Sequence, residues 1–293
     1  MKYPDFIETV KEHIKEVIQK QVHVYPVLKN NGAVYDGLVI IDPILNISPT
    51  IYLNPYYHRY LEGVSMEDIF EDILKTYQEN LPDSDFDVSL FQDFAKAKER
   101  IVMKLINASK NETLLTKVPH ILIYDLAIVF LCNVSDFVNE FATILIYNHH
   151  LSLWDVDTQD LYEIAQLNTP NLLRPQLDNL HDVYKYITED TLPYLDDLDV
   201  NIMTNHLKIH GATCMVYPKL LDEISDIYED DIIIIPSSIH EILFFPKENI
   251  PNGYSLEELN TIIEDINETQ LTDDEILSDH IYWYHRDSKT ITY

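Results

Sequence analysis

Two short stretches carry the side chains whose types could do chemistry. Between two apolar segments, two hydroxyls, an imidazole and a carboxylate follow one another in Ser237, Ser238, His240 and Glu241. Serine hydrolase chemistry needs these groups in line, with the acid beyond the imidazole, and neighbours in one tight turn do not reach that arrangement. The run therefore predicts a strand-to-strand turn whose hydroxyls bind backbone groups, with a small polar ligand as the alternative.

The second stretch ends an apolar segment with Asn148, His149 and His150. Functional side chains often lie on the loops at strand ends, so Asn148 and His150 are candidates for binding. The alternative is that they cap a helix or lie on the surface. If both stretches met in one concave pocket with perturbed pKa values, the protein would be an enzyme or a small-molecule sensor.

Motifs for metals and cofactors are weak or missing. His206 and His210 have i, i+4 spacing, but the run lacks the glutamate of HExxH, which favours a surface pair over a metal site. Cys132 and Cys214 lie in apolar runs without a CxxC motif, so they are expected to be buried free thiols. The 5 glycines form no GxGxxG or GxSxG motif and no complete Walker A loop. We therefore predict no metal and no cofactor.

The charge is strongly one-sided, with 50 Asp and Glu against 20 Lys and Arg, a formal −30. Residues 220–285 hold 17 of the acids and one base, Lys247. Nucleic acid binding needs clustered Lys and Arg to replace counterions, and an anionic membrane surface needs them as well. We expect no direct nucleic acid or membrane partner. The acidic C-terminal face either keeps the protein soluble or meets a basic protein, and cation binding is a third alternative.

No apolar stretch is long enough for a membrane helix, which needs about 18–20 residues. The longest candidate runs from Ile121 to Cys132 and contains Asp125. Acidic residues interrupt the N-terminus early, unlike a signal peptide. These features favour a soluble, cytoplasmic protein.

Hydrophobic periodicity and turn residues place the elements along the chain. Helices are predicted over 5–20, 66–78, 89–98, 157–168, 181–187, 220–227 and 255–266. Strands are predicted over 21–28, 34–41, 50–53, 101–106, 121–131, 141–147, 200–204, 212–217, 231–235, 240–245, 281–285 and 290–293. Helices alternate with single strands and with hairpins, which predicts an α+β fold with a mixed or largely antiparallel sheet flanked by helices. We expect two lobes, residues 1–118 and 119–293.

Several strings resemble a family of domains of unknown function from Gram-positive gut bacteria. They are the run from Ile47 to Tyr57, Asn31-Gly32 with Asp36-Gly37, Asp125 to Val129, Ala142 to Ile146, Pro236 to Glu241, and Asn267 to Gln270 followed by Leu277 to Asp279. The resemblance runs nearly end to end and implies an intracellular bacterial protein. It brings no activity, so no catalytic residue is carried over from it.

Two functional hypotheses follow. The first is a binding or interaction protein that presents its acidic C-terminal face to a basic partner and has no chemistry of its own. Mimicry of DNA is a special case, which requires exposed acids in a regular stripe. The second is a small-molecule sensor or an enzyme with a polar pocket formed by Asn148, His150 and the 237–241 turn.

Overall fold

A computed structural model describes residues 1–82, 89, 92–135, 141–180, 200–236, 238–250 and 255–293. Its helices are α1 (Tyr3–Ile18), α2 (Leu53–Leu61), α3 (Met66–Glu79), α4 (Phe94–Ala97), α5 (Glu112–Leu115), α6 (Asn148–Trp154), α7 (Thr158–Leu172), α8 (Leu220–Tyr228) and α9 (Leu256–Gln270). Its strands are β1 (Gln21–Leu28), β2 (Val34–Ile41), β3 (Thr50–Tyr52), β4 (Ile101–Asn107), β5 (His120–Ile123), β6 (Leu126–Asn133), β7 (Thr143–Leu145), β8 (Pro175–Asn179), β9 (Asn201–Asn205), β10 (Ile232–Ile235), β11 (Ile242–Pro246), β12 (Tyr282–His285) and β13 (Thr290–Thr292).

The chain divides into two compact units, residues 1–92 with 133–144, and residues 93–132 with 145–293. The boundary expected near Val118 falls inside a sheet instead, because β4 pairs with β6 from Ile101–Cys132 to Asn107–Leu126. Residues on both sides of position 118 therefore belong to the second unit.

The first unit packs helices α1, α2 and α3 on a sheet of order β1-β2-β3. The strand pairs are antiparallel, and Gly32 at φ 76° supplies the left-handed turn between β1 and β2. α3 begins after Ser65, whose hydroxyl accepts the Asp68 N–H and so caps the helix. Alternate residues of the strands, such as Leu38 and Ile40, are buried under the helices.

The second unit contains two antiparallel sheets, of order β4-β6-β5 and β13-β12-β10-β11-β9-β8. The protein is therefore α+β with largely antiparallel sheets, as the sequence predicts. β10 and β11 are buried along their whole length because they lie in the middle of the larger sheet. Leu259 and Ile263 of α9 pack against Ile233 and Ile235 on one face.

The outer edge of β4 is closed by side chains rather than by another strand. The Thr169 hydroxyl accepts the N–H of Met103 at 2.9 Å, and the Thr213 hydroxyl accepts that of Leu105 at 3.1 Å. The amide of Asn168 donates to the Ile101 carbonyl at 3.1 Å. These bonds satisfy backbone groups that an edge strand otherwise leaves unpaired.

Two predicted strands were wrong. The run 121–131 is not one strand, because Tyr124 adopts φ 57° and the chain reverses into the β5–β6 hairpin. The run 212–217 is a 3₁₀ helix, Gly211–Val216, that packs against β9. The strand predicted over 141–147 shortens to β7. The helix predicted over 181–187 lies outside the described residues.

Both cysteines, Cys132 and Cys214, are buried free thiols, as predicted. Within the described ranges, no helix combines the length and the apolar character that crossing a membrane requires.

Candidate functional site

A cavity of about 410 Å³ opens in the second unit beside the hairpin of β12 and β13. Ligand cavities usually measure about 300–1,000 Å³ and combine apolar walls with a few placed polar groups. The lining follows that pattern: Asn260, His280, Ile281, Trp283, Thr292 and Tyr293. Trp283 and Thr292 face it together because they are partners in the β12–β13 register.

Hydrogen bonds hold the polar side chains of this cavity in place. Asn260 Oδ1 accepts the Ile281 N–H at 3.0 Å, which assigns the amide oxygen to the backbone and leaves the amide nitrogen as the donor. The Thr292 hydroxyl lies 2.9 Å from His285 Nε2. The cavity is therefore preorganised, which lowers the entropy cost of binding.

His280 lies between two carboxylates. Its Nδ1 lies 3.0 Å from Asp279 Oδ1, and its Nε2 lies 3.6 Å from Asp125 Oδ2. A carboxylate can only accept, so Nδ1 carries the proton, and this hydrogen bond lowers the pKa of Asp279. Nε2 is buried and has no hydrogen bond within the described residues. The imidazole thus turns its ring, not its nitrogens, toward the cavity.

Aromatic rings form the apolar part of the wall. Tyr293 stacks on His280 with ring centroids 5.5 Å apart. Trp283 Nε1 donates to Asp231 Oδ2 at 2.9 Å, and the Lys247 ammonium lies 4.4 Å from the Trp283 ring centroid. The His285 ring also stacks on Trp283, with ring centroids 4.9 Å apart. The indole is held at its nitrogen and at its ring, so it is a rigid part of the cavity wall.

A buried polar network lies next to the residues that line the cavity. The Tyr282 hydroxyl donates to Asp125 and lies 3.4 Å from the Ser278 hydroxyl. Asn267 donates to the Ser278 carbonyl at 2.9 Å. Asp125 comes from one of the family-like strings named above, and Asn267 and Ser278 come from another, so these two strings meet in this network. Ser278 is 1% exposed and its hydroxyl cannot reach a ligand as a nucleophile.

The sequence-based candidates Asn148 and His150 lie at the start of α6, where their side chains bond backbone groups. The Asn148 amide donates to the Thr116 carbonyl at 3.2 Å. His150 Nδ1 accepts the Tyr147 N–H at 3.0 Å, and its ring stacks on Trp154 at 5.5 Å. Burial, with a smaller effect of the neighbouring histidine, lowers the pKa of His150. These contacts match the helix-cap interpretation.

The 237–241 turn joins β10 to β11, and Ser237 lies outside the described residues. The Ser238 hydroxyl accepts the His240 N–H at 2.9 Å, a backbone bond of the kind expected in a turn. His240 Nδ1 accepts the His210 N–H at 3.3 Å, and the two rings stack. Burial lowers the pKa of His240 and raises that of Glu241.

The described sequence-based candidates do not line the cavity near His280. His240 bonds Thr204 of β9 and the His210 N–H, and Ser238 bonds His240 within its own turn. Asn148 and His150 bond the Thr116 carbonyl and the Tyr147 N–H instead. Sequence reasoning missed the cavity residues Asn260, His280 and Tyr293. One available signal was Asp125, a lone carboxylate within a long apolar run.

Within the described part of the chain, no group of three or more His, Cys, Asp or Glu side chains is arranged to hold a metal ion. His206 follows β9 and is exposed, and His210 adopts φ 54° before the 3₁₀ helix. The pair thus lies on an irregular connection and not on one regular element.

Part of the acidic stretch has a structural use. Asp222 accepts from Lys289 at 2.9 Å, and Asp226 accepts from Arg286 at 3.2 Å. Asp231 accepts the Arg286 N–H at 2.9 Å and the Trp283 indole. These bonds attach the closing hairpin to the rest of the unit. Other acids are exposed on α9, namely Glu257, Glu258, Glu264, Asp265 and Glu268.

Of three comparisons with known proteins, the one with family models gives a match. No curated protein and no solved structure matches the chain. The model of DUF5688, a family of unknown function, matches residues 3–286. This range covers nearly the whole sequence and includes residues of both units. The resemblance seen in the sequence is confirmed at this level: the chain belongs to the DUF5688 family, a family of unknown function.

Proposed function

We propose that the protein binds a small, flat, largely apolar organic molecule in the cavity beside His280. The observation that carries the proposal is the cavity of about 410 Å³, with an indole, a phenol and an imidazole in its wall. Flat rings stack well on such walls, and the amide and hydroxyl groups of Asn260 and Thr292 supply a few orienting hydrogen bonds. This corresponds to the small-molecule hypothesis, at a different place from the one expected.

Binding without chemistry accounts better for the groups present than catalysis does. The Ser278 hydroxyl is buried, and both nitrogens of His280 face carboxylates rather than the cavity. A general base must come within about 3 Å of the proton that it removes. The lining residues that the structure describes supply recognition groups and no such base, so we propose a carrier or sensor.

The interaction with a basic partner stays a prediction, as do a cytoplasmic location and the lack of direct nucleic acid binding. The exposed acids of α9 are one part of the acidic face that is open to a basic protein, whereas Asp222, Asp226 and Asp231 are engaged in the hairpin. Such an interaction would weaken as salt rises, because the Debye length is only about 8 Å at physiological ionic strength.

The test uses indole and 2-naphthol, two flat bicyclic probes, with saturation-transfer NMR and titration. At about 0.4 kcal/mol per heavy atom, a probe of roughly ten atoms binds with a Kd near 1 mM. Thr292→Phe places a ring in the cavity mouth and should abolish binding. Thr290→Phe is the matched control, because Thr290 is also exposed on β13 but does not line the cavity.

Loss of binding in the Thr292 variant and retention in the Thr290 variant would support the proposal. It would be rejected if neither probe binds at 10 mM (about ten times the expected Kd) or if the two variants bind alike. Circular dichroism of both variants checks that the substituted strands stay folded.

A further inference from the structure

A second, smaller cavity lies on the opposite face of the β12–β13 hairpin. Tyr284 and Ile291 line it and are partners in the strand register, next to the Trp283–Thr292 pair that lines the first cavity. Successive residues of a strand point to opposite faces, so the hairpin separates the two cavities. This one measures about 190 Å³.

The second cavity gathers positive charge in a protein of formal charge −30. Its lining includes two ammonium groups, Lys219 and Lys289, and one carboxylate, Asp222. Both carboxylate oxygens of Asp222 already accept hydrogen bonds, one from the Tyr284 hydroxyl and the other from Lys289 Nζ at 2.9 Å. The ion pair cancels one ammonium, and Lys219 makes no ion pair within the described residues. One positive charge therefore remains.

The rest of the lining is both aromatic and apolar. Tyr124 and Tyr162 bring phenol groups, while Ile123, Met215 and Ile291 bring hydrocarbon surface. The hydroxyls of Tyr217 and Tyr284 donate to the protein itself, to the Leu173 carbonyl and to Asp222. The cavity thus offers one ammonium group and phenol hydroxyls for polar contacts, and hydrocarbon side chains for apolar contacts.

We infer that this second cavity binds a small organic carboxylate. Its oxyanion would pair with the Lys219 ammonium, and its hydrocarbon body would pack against Ile123, Met215 and Ile291. A charge-assisted hydrogen bond to an ammonium group is about twice as strong as a neutral one. A singly charged ligand matches the single uncompensated cation, whereas a phosphate dianion would be repelled by Asp222 at the same site.

The backbone at Lys219 allows a clean test. Lys219 adopts φ 65°, a left-handed conformation that glycine takes without strain. Lys219→Gly therefore removes the ammonium without disturbing the chain. Lys208→Gly is the matched control, because Lys208 is exposed, adopts φ 56° and does not line the cavity. Each variant removes one charge at a backbone of the same kind.

The experiment titrates benzoate at low ionic strength and follows the ring signals of Tyr124 and Tyr162 by NMR. Benzyl alcohol is the neutral analogue, and inorganic phosphate is the competing anion. We expect benzoate alone to shift these signals. Its affinity should fall about tenfold in Lys219→Gly, the size of one charge-assisted hydrogen bond, and stay unchanged in Lys208→Gly.

Three outcomes would overturn the inference: benzoate and benzyl alcohol bind equally, Lys219→Gly binds benzoate like the unmodified protein, or phosphate binds more tightly than benzoate. A wild-type protein that shows no benzoate shift at all counts against it in the same way. The two cavities have different lining residues, but Tyr124 contacts Tyr293 of the first cavity with ring centroids 5.9 Å apart. The Tyr162 signal therefore separates this result from the indole and naphthol experiment.

Discussion

Replacing Gly211 by alanine is expected to destabilise the second unit. An added Cβ would lie 2.1 Å from Thr204 Oγ1, 2.3 Å from the His240 carbonyl oxygen and 2.8 Å from Thr204 Cα. Two of these atoms belong to the backbone and cannot swing aside. The Thr204 hydroxyl also donates to that same carbonyl at 2.7 Å, so relieving the clash breaks a bond between β9 and the 237–241 turn.

The magnitude follows from these two effects. Overpacking an interior costs about 1–3 kcal/mol. Loss of one hydrogen bond adds roughly 1 kcal/mol. We expect the free energy of unfolding to fall by about 2–4 kcal/mol, which lowers Tm by roughly 4–16 °C at about 2–4 °C per kcal/mol.

Urea unfolding followed by tryptophan fluorescence measures the effect, because Trp154 and Trp283 both lie in the second unit. Gly32→Ala is the control for the residue change itself, and circular dichroism follows its unfolding because Gly32 lies in the first unit, away from both tryptophans. No atom lies within 4 Å of a Cβ at Gly32, so only its φ of 76° resists alanine. That strain costs about 1 kcal/mol.

A double variant separates side-chain from backbone clash. Thr204→Ala removes the contact at 2.1 Å but leaves the His240 carbonyl at 2.3 Å, so it should not rescue Gly211→Ala. A loss below about 1 kcal/mol in the single variant, smaller than any overpacking cost, would refute the reasoning. Full rescue by the double variant would refute it as well.

Three other predictions rest on buried polar groups and titrating side chains. Thr169→Val leaves the Met103 N–H without its acceptor, and should cost about 1–3 kcal/mol in urea unfolding; no change would show that another group replaces the hydroxyl. Burial raises the pKa of Cys132 to about 11 and that of Cys214 to about 12. Both thiols should therefore resist DTNB at neutral pH and react after unfolding. The free energy of unfolding should also fall as pH rises above 9.0, the ordinary pKa of a thiol, because only the unfolded chain then loses these protons. A tyrosine hydroxyl and a lysine lower the pKa of Asp222 below its ordinary 3.8. The contribution of Asp222 to stability is therefore complete above pH 3.8 and is lost as pH falls through the lower pKa of the folded state. Asp222→Asn should flatten the acid side of a stability–pH curve, and an unchanged curve would contradict this assignment.

Elements with local signals could be predicted from the sequence. The β1–β2 hairpin follows from two apolar runs around Asn31-Gly32, and the starts of α3 and α9 follow from Ser65 and Ser255, whose hydroxyls accept the N–H groups three residues on. Each of these signals spans only a few residues, so the rest of the fold does not alter it.

Elements decided by distant contacts could not be predicted. The run 212–217 is apolar enough for a strand, but Gly211 lies against β9 and the His240 carbonyl, and this approach holds the chain in a 3₁₀ helix. The cavity residues could not be predicted for the same reason. Asn260 and Tyr293 are 33 positions apart and meet only because α9 packs beside the closing hairpin.

The closed edge of β4 has a consequence for assembly. A free strand edge can accept a strand from another chain, which is the route to β-augmentation and to amyloid-like stacking. Here the hydroxyls of Thr169 and Thr213 and the amide of Asn168 already bond three of the edge groups that an incoming strand would use, namely the N–H groups of Met103 and Leu105 and the carbonyl of Ile101. A strand that paired with this edge would first have to displace those three bonds, so β4 is a poorer template for strand exchange than an unpaired edge of the same apolar sequence.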